Sequence, residues 1–170
     1  MSFMDGFSGY NQIKMYPDDE KHTSFRTTLE VYCYTVMSFG LKNVGATYQR
    51  VMNAIFHEYM RKTVECYVDD IAVKSRAKGD HITDLKAIFD IIRAHQLKMN
   101  PTKSFLGVAS GKFLGFVVTS TGIHLDPKKV CAIQEMQPPR NLRELRGLQG
   151  RLAYIRRFKI SLEDANPLPN

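Results

Sequence analysis

The feature that most constrains this chain is the run 64–73, which reads as two short β-strands folded back on each other around an acidic bend. Its apolar residues recur at the spacing of half-buried strands, namely Val64, Cys66, Val68, Ile71 and Val73. Asp69 and Asp70 stand side by side between the two arms. Adjacent like charges raise the cost of ionising both carboxyl groups unless a multivalent cation lies against them. The pattern leaves two interpretations open, a metal site and a solvated Asp-Asp turn.

The composition allows one core and excludes several classes of protein. With 170 residues, of which 44% are hydrophobic and 24% charged, the chain is globular and large enough for one core and a small appendage. No apolar run approaches the ~18 residues of a membrane span, and the first residues do not form a signal peptide. We therefore expect an intracellular protein or a piece cut from a larger one. Three widely spaced cysteines favour neither a disulfide framework nor a zinc site.

The net charge of +7 is concentrated near the end of the chain. Residues 128–159 contain nine Lys or Arg and two Glu, which accounts for the whole excess. Two helices are predicted there: Asp126-Pro127 starts the first, Pro138-Pro139 ends it, and Asn141 with Glu144 resembles a capping box for the second. The apolar stripe of the second helix comprises Leu142, Leu145, Leu148, Leu152 and Ile155. A basic segment of this kind suits a phosphate backbone, and a solvated helix face is the alternative.

Two further helices are predicted to cover a sheet. Asn43 is the predicted cap of the first, whose apolar stripe comprises Tyr48, Val51, Met52, Ile55, Phe56 and Tyr59. Asp80 is the predicted cap of the second, whose apolar face comprises Ile82, Leu85, Phe89 and Ile92. Aromatic and β-branched residues over 24–39 predict a hairpin with its turn at Leu29-Glu30. Residues 112–118 predict one continuous strand, followed by a turn at 120–122.

The acidic hairpin resembles the catalytic motif of reverse transcriptases, because Tyr-Val-Asp-Asp stands at 67–70. A second motif of that family matches the run that begins at Asp5, where an aromatic residue, Tyr10, follows five residues after the carboxylate. The resemblance implies that Asp5, Asp69 and Asp70 hold two Mg²⁺ ions, for which Mn²⁺ can substitute. It also implies that Gly6 offers a backbone carbonyl to the nucleotide and that Tyr10 excludes a 2′-hydroxyl. Core packing is the alternative for Tyr10.

Further motifs of the same family follow in the expected order. The run from Phe39-Gly40 to Arg50 resembles the motif that lies beneath the incoming nucleotide. Its amino-acid sequence is similar to that of plant gypsy-type LTR retrotransposons. The resemblance implies a Lys that gives a proton to pyrophosphate; Lys103 is the candidate, and Lys98 lies close enough to compete. Phe113-Leu114-Gly115 resembles the primer grip, which holds the 3′ end of the growing strand.

The resemblance covers residues 3 to about 158 and implies an α+β fold. We expect a palm over 1–118, an antiparallel sheet backed by two helices, then a partial helical thumb over 119–158 and a frayed tail over 159–170. Three arginines off the apolar stripe of the thumb are the candidates for contacts to a template and primer duplex, namely Arg143, Arg146 and Arg151. In this family, fingers precede the palm, and ribonuclease H and integrase modules follow the thumb.

The implied function is that of an RNA-directed DNA polymerase. In this reaction a primer 3′-hydroxyl attacks the α-phosphate of a dNTP, with an RNA or DNA template, and two metal ions assist. The alternative is a catalytically inactive retroelement remnant that at most binds nucleic acid. Because the fingers would precede Asp5, we expect the 170-residue chain by itself to bind nucleic acid without polymerising. The expected location is a cytoplasmic particle or the nucleus, without a membrane.

Overall fold

The computed structural model describes residues 1–77 and 79–156. These residues form two compact units, Met1–Leu114 and a second that begins at Gly115. The predicted frayed tail over 159–170 and the end of the predicted thumb, 157–158, lie outside the described residues. The strands and helices of the described chain are β1 (Ser2–Gly6), α1 (Pro17–Glu20), β2 (Phe25–Arg26), β3 (Val31–Tyr32), α2 (Val44–Ile55), β4 (Val64–Tyr67), β5 (Asp70–Val73), α3 (His81–Ala94), β6 (Met99–Phe105), β7 (Gly111–Phe113), β8 (Phe116–Val118), β9 (Ile123–Leu125), α4 (Pro127–Gln134) and α5 (Leu142–Ile155).

The first unit is built on a four-stranded antiparallel sheet with the strand order β4-β5-β1-β6. The predicted hairpin over 64–73 is confirmed, since β4 pairs with β5 and Tyr67 lies opposite Asp70. β1 lies between β5 and β6, with Asp5 opposite Asp70 on one side and Asn100 on the other. The first acidic motif is therefore a central strand of the same sheet that carries the hairpin.

One face of this sheet packs on two helices. Met4 and Ile71 point to that face, where the core also takes Tyr48 and Met52 from α2 and Ile88 from α3. All of these side chains are almost completely buried. The predicted palm architecture, an antiparallel sheet backed by two helices, is confirmed.

The predicted apolar face of α3 is wrong at one end. Ile82 is 67% exposed, whereas Ile88, which the prediction omitted, is completely buried. Since an α-helix turns about 100° per residue, Ile82 lies about 120° away from Ile88 around the axis. The sheet covers the stripe that passes through Ile88 and Ile92, and Ile82 falls outside it.

The predicted helix starts are correct and all four predicted residues occupy the N-cap position, but only two of them cap the helix with their side chains. Asp126 and Asn141 have extended backbones, and their side chains accept hydrogen bonds from backbone N–H groups of the first helical turn. Asn43 and Asp80 make no such bond, because their ψ angles of 10° and −11° are far from the extended range that a capping side chain needs.

Two predicted β-segments differ from the structure. The strand predicted over 112–118 is interrupted, because Leu114 and Gly115 have φ angles of 51° and 83°, which no strand contains. The hairpin over 24–39 is confirmed, but β2 and β3 have only two residues each. Its turn centres one residue earlier than predicted, since the Thr27 N–H donates to the Glu30 carbonyl at 2.9 Å.

The second unit contains the β8–β9 hairpin and the helices α4 and α5. Phe116 pairs with Leu125, which confirms the predicted turn after β8. The predicted apolar stripe of α5 is not buried, since Leu142 and Leu152 are 61% and 41% exposed and no residue of this helix is buried. Within the described residues, no helix is both long enough and apolar enough to span a membrane.

Candidate active site

The sheet brings three carboxylates together at the ends of adjacent strands. β1 and β5 run antiparallel, so the last residues of β1 meet the first residues of β5, and Asp5 lies directly opposite Asp70. Asp69 occupies the two-residue turn that connects β4 to β5. All three residues are half-buried. The predicted catalytic residues are therefore neighbours, although the chain separates Asp5 widely from the other two.

Burial and mutual repulsion act on the ionisation of these carboxylates. Burial raises the pKa of both Asp69 and Asp70, and the charge of Asp5 raises both further. The positive charge of Lys103 lowers the pKa of both groups, against these two effects. Its Nζ lies 3.8 Å from Oδ1 of Asp5, because β6 pairs with β1. Of the two predicted lysines, Lys103 is the one that forms an ion pair with the carboxylates.

The carboxylate of Asp69 lies in a narrow space between Gly9 and Tyr48. Its Oδ1 is buried and has no well-aligned hydrogen-bond partner among the described residues. The Tyr48 hydroxyl is a near neighbour that favours the ionised carboxylate, and burial followed by the charge of Asp69 raises the pKa of Tyr48. A Cβ atom on Gly9 would lie 1.8 Å from Oδ1, so only glycine fits at this position without displacing Asp69.

The chemistry of these donors fits divalent cations. Among the residues that the structure describes, three half-buried carboxylates share one partial counter-charge, and a buried carboxylate oxygen lacks a well-aligned partner. No group of three or more His, Cys, Asp or Glu residues converges on a single point within the described part of the chain. That finding is compatible with Mg²⁺, which proteins usually hold through one or two carboxylates while waters and substrate phosphates complete the shell.

The predicted nucleotide-binding residues form an aromatic cluster. Tyr10, in a 3-10 turn over Gly9–Gln12, packs edge-on against Phe39 at 5.0 Å and against Tyr48 at 5.3 Å between ring centroids. Phe39 is 67% exposed, and Gly40 has a φ of 95° that suits glycine. Since Tyr48 also contacts Asp69, the structure connects Tyr10 to the acidic turn through one buried ring.

A pocket of about 350 Å³ opens beside the carboxylates. Asp5, Asp70 and Lys103 line it together with Phe113, the first residue of the predicted primer grip. The Phe113 ring also contacts Phe3 of β1, with 6.3 Å between the ring centroids. The structure thus brings the start of the predicted primer grip to the predicted catalytic residues.

The remaining predicted residues belong mostly to the second unit. The Tyr154 hydroxyl of α5 donates to the Gly115 carbonyl, and its ring stacks on Phe116 at 4.7 Å. Leu114 ends the first unit and is 43% exposed. Among the predicted arginines, Arg143, Arg146 and Arg151 are all exposed, and Nη1 of Arg151 donates to the Ala132 carbonyl of α4 at 3.4 Å.

The sequence did not reveal two glutamines that connect the site to its surroundings. Gln12 donates to the backbone carbonyls of Phe7 and Lys98 and accepts from the Lys98 N–H at 2.7 Å. Gln49 forms hydrogen bonds to the backbone of the acidic hairpin. An amide side chain in a turn or on a helix gives no pattern from which such distant partners could be predicted.

A four-stranded antiparallel sheet backed by two helices, with carboxylates where two adjacent strands meet, is the arrangement expected of a polymerase palm. The sequence profile of the family described as "Reverse transcriptase (RNA-dependent DNA polymerase)" matches residues 1–118. The chain therefore belongs to the reverse transcriptase family.

Similar proteins come from retrotransposons. A Pol polyprotein from the transposon opus of Drosophila melanogaster is 37% identical over 171 residues, which cover 98% of this chain and 17% of the relative. The Pol polyprotein from the transposon gypsy of the same organism is 30% identical, with 91% and 15% covered. The Tf2-3 transposon polyprotein of Schizosaccharomyces pombe is 28% identical, with 91% and 12% covered. The chain spans less than a fifth of the length of these relatives.

Solved structures of one viral enzyme have the same fold. The foamy viral protease-reverse transcriptase in complex with an RNA/DNA hybrid superposes with a TM-score of 0.79 at 25% identity, covering 91% of this chain and 21% of that one. A form of that protein in complex with double-stranded DNA superposes with a TM-score of 0.83 at 25% identity, covering 91% and 27%. The predicted fold class is confirmed.

Proposed function

We propose that this chain forms the palm and the start of the thumb of an RNA-directed DNA polymerase, which adds nucleotides from dNTPs to a primer 3′-hydroxyl. The observation that carries the proposal is the register of the sheet, which puts Asp5 opposite Asp70 and next to the turn that holds Asp69. Family membership of residues 1–118 supports the same reaction.

The three carboxylates are the proposed ligands of two Mg²⁺ or Mn²⁺ ions. Such ions lower the pKa of an attacking hydroxyl and neutralise a leaving pyrophosphate. Asp5, Asp69 and Asp70 would share the ions, since burial and repulsion make their negative charge costly without a cation. Lys103 is the proposed proton donor to pyrophosphate, because its ammonium group already lies at the carboxylates.

The nucleotide is proposed to bind on the side of the aromatic cluster. Tyr10 would stand against the sugar and exclude a 2′-hydroxyl, and its contacts with Phe39 and Tyr48 hold the ring in place. Gly6 would offer its carbonyl to the nucleotide, and the exposed Phe39 with Gly40 would lie beneath the base.

The nucleic acid is proposed to be a template and primer duplex. The foamy viral protease-reverse transcriptase was solved in complex with an RNA/DNA hybrid and with double-stranded DNA, which supports this class of partner. Phe113 beside the carboxylates, with Leu114 and Gly115 in the turn that follows, supports a primer grip. The exposed arginines of α5 would contact phosphates; these are Arg143, Arg146 and Arg151.

We also propose that the chain is one part of a Pol polyprotein with fingers before it and with ribonuclease H and integrase modules after it. The names and lengths of the relatives support this context. The amino-acid sequence of residues 39–50 supports a gypsy-type element of a plant.

The test is primer extension by a chimera in which this chain replaces the matching segment of the opus Pol polyprotein. We expect dTTP incorporation on poly(rA) primed with oligo(dT) in Mg²⁺ or Mn²⁺, and its loss in the Asp69→Asn variant. A folded chimera that binds the duplex without extending the primer would overturn the proposal and favour the inactive remnant. The opus polyprotein with its own segment is the positive control.

A further inference from the structure

The turn that carries Asp69 contains an unfavourable backbone conformation. Val68, the first residue of this two-residue turn, has a φ of 51°. A β-branched residue is a genuine outlier in this region, because its Cβ substituents crowd the backbone. Two-residue hairpin turns that need a positive φ at their first residue normally have Gly, Asn or Asp there, and not a β-branched residue. Something outside the turn must therefore hold Val68 in this conformation.

Gln49 of α2 makes the contacts that can do so. Its Oε1 accepts from the Val68 N–H at 2.7 Å, and its Nε2 donates to the Cys66 carbonyl at 3.0 Å. One side-chain amide thus satisfies backbone groups on both sides of Tyr67, just before the turn. Nε2 also donates to Oδ1 of Asn53 one helical turn later, at 3.0 Å, which fixes the direction of the amide.

The same turn is held on its other side by β1. The Gly6 N–H donates to the Asp69 carbonyl at 2.8 Å, so the backbone of Val68 and Asp69 lies between a side chain of α2 and the end of β1. Because Val68 immediately precedes Asp69, a change in the Val68 conformation would redirect the Asp69 carboxylate. The buried Oδ1 of Asp69 has little space to move, because it lies close against the Gly9 backbone.

We propose that Gln49 is a positioning residue, which holds Val68 in the left-handed conformation and thereby aims the Asp69 carboxylate at the metal site. This inference rests on the proposed function, because it needs Asp69 to be a metal ligand. Gln49 touches neither substrate nor metal in this assignment. It acts through the backbone of the turn.

A purely structural role for Gln49 makes a different prediction. If Gln49 only ties α2 to the sheet, its loss lowers stability and leaves metal affinity unchanged in the folded chain. If it holds Val68, then replacing Val68 with glycine removes most of the need for it, because glycine adopts a positive φ without strain. The double variant separates the two roles.

The experiment measures Mn²⁺ binding to the 170-residue chain, by electron paramagnetic resonance of the free ion, beside thermal unfolding. The site is defined as the binding that is lost in Asp69→Asn. We expect Gln49→Met to weaken this binding by about 10- to 100-fold, which is typical for residues that orient a metal ligand. Gln96→Met, which removes the same amide from an exposed position, should not change it. Gln49→Met/Val68→Gly should recover most of the affinity.

Two further measurements keep the inference testable. Hydrogen exchange of the Val68 amide should become at least about 10-fold faster in Gln49→Met, since the protecting hydrogen bond is gone. Asn53→Ala removes the contact that fixes the direction of the Gln49 amide, so it should weaken Mn²⁺ binding less than Gln49→Met does. If Gln49→Met fails to fold, Asn53→Ala is the variant that tests the inference.

The outcomes distinguish this inference from the proposed function. Mn²⁺ affinity in folded Gln49→Met equal to that of the wild type would overturn the inference, as would a double variant that recovers nothing. A wild-type chain without Asp69-dependent Mn²⁺ binding would instead overturn the proposed metal site, and with it the positioning of a metal ligand. In that case the exchange rate of the Val68 amide still decides whether Gln49 holds the turn.

Discussion

Asp5 on β1 and Asp70 on β5 lie directly opposite each other in an antiparallel pair, and both carboxylates are half-buried. Lys103 supplies one positive charge, 3.8 Å from Asp5. Asp69 in the adjacent turn adds a third carboxylate. Among the described residues, the site therefore holds more negative than positive charge. A protein accepts this imbalance when the charge serves a cation or a reaction.

The first prediction concerns catalysis. Asp69→Asn in the opus chimera should abolish primer extension, because it removes a metal ligand and with it several kcal/mol of charge stabilisation in the transition state. The circular dichroism spectrum should stay that of the wild type. Asp18→Asn, an exposed acid in α1, is the control and should keep full activity. Near-normal extension by Asp69→Asn would show that this residue holds no essential metal.

The second prediction concerns pH. Burial and the charge of Asp5 raise the pKa of Asp69 and Asp70 above the ordinary value of 3.8. The folded state therefore binds more protons than the unfolded state between that value and the raised pKa, and the free energy of unfolding falls as pH rises through this window. At pH 7 without divalent ions, Asp69→Asn should thus melt at a higher temperature than the wild type.

That difference should shrink towards zero below pH 3.8, where the carboxyl group is protonated in both states. Thermal unfolding at pH 7 and at about pH 3 checks both statements, and Asp18→Asn should show no such pattern. A lower melting temperature for Asp69→Asn at pH 7 would contradict the predicted sign. Added Mg²⁺ should stabilise the wild type and not the variant.

The third prediction concerns the choice of sugar. Tyr10→Ala in the chimera should raise the incorporation of ribonucleotides relative to deoxyribonucleotides, because it opens the space that a 2′-hydroxyl would occupy. Tyr10→Phe keeps the ring and its contacts with Phe39 and Tyr48, so it should retain the wild-type selectivity. Competition between dTTP and UTP on poly(rA) gives the ratio. An unchanged ratio in Tyr10→Ala would leave this ring with a packing role alone.

The fourth prediction concerns the turn after β7. Tyr154→Phe removes the hydrogen bond to the Gly115 carbonyl and should cost roughly 1 kcal/mol in the free energy of unfolding. Tyr154→Ala also removes the stacking on Phe116, which adds about 0.5 to 1.5 kcal/mol beyond the loss of buried area. Urea unfolding of the chain measures both. If Tyr154→Phe is as stable as the wild type, the hydroxyl does not hold this turn.

The fifth prediction concerns nucleic acid. Binding of the 170-residue chain to a duplex should release ~4 to 6 counterions and so weaken by roughly 10² to 10³ between 50 and 200 mM salt. Arg146→Ala should lower the slope of log K against log salt by about 1. Arg93→Ala is the matched control, because that guanidinium is paired with Asp90 at 2.8 Å and lies in α3. A slope that does not respond to Arg146→Ala would remove this residue from the interface.

Much of the local structure that carries the candidate site was predictable because its signals are local. The hairpin over 64–73 follows from the alternation of apolar residues and the acidic pair, and each depends only on neighbours in the chain. Asp126 and Asn141 were recognisable as caps for the same reason, since a cap bonds to N–H groups two or three residues away. The spacing of Asp5 and Tyr10 carried the family resemblance without any knowledge of the fold.

Only the tertiary structure decided which distant groups meet. Asp5 opposite Asp70, Lys103 at Asp5 and the amide of Gln49 on Val68 all depend on strand order and on how α2 packs against the sheet. The exposure of Ile82 likewise depends on which stripe of α3 the sheet covers. Periodicity gives the shape of one element, but long-range contacts arise from the packing of several, so a sequence pattern cannot specify them alone.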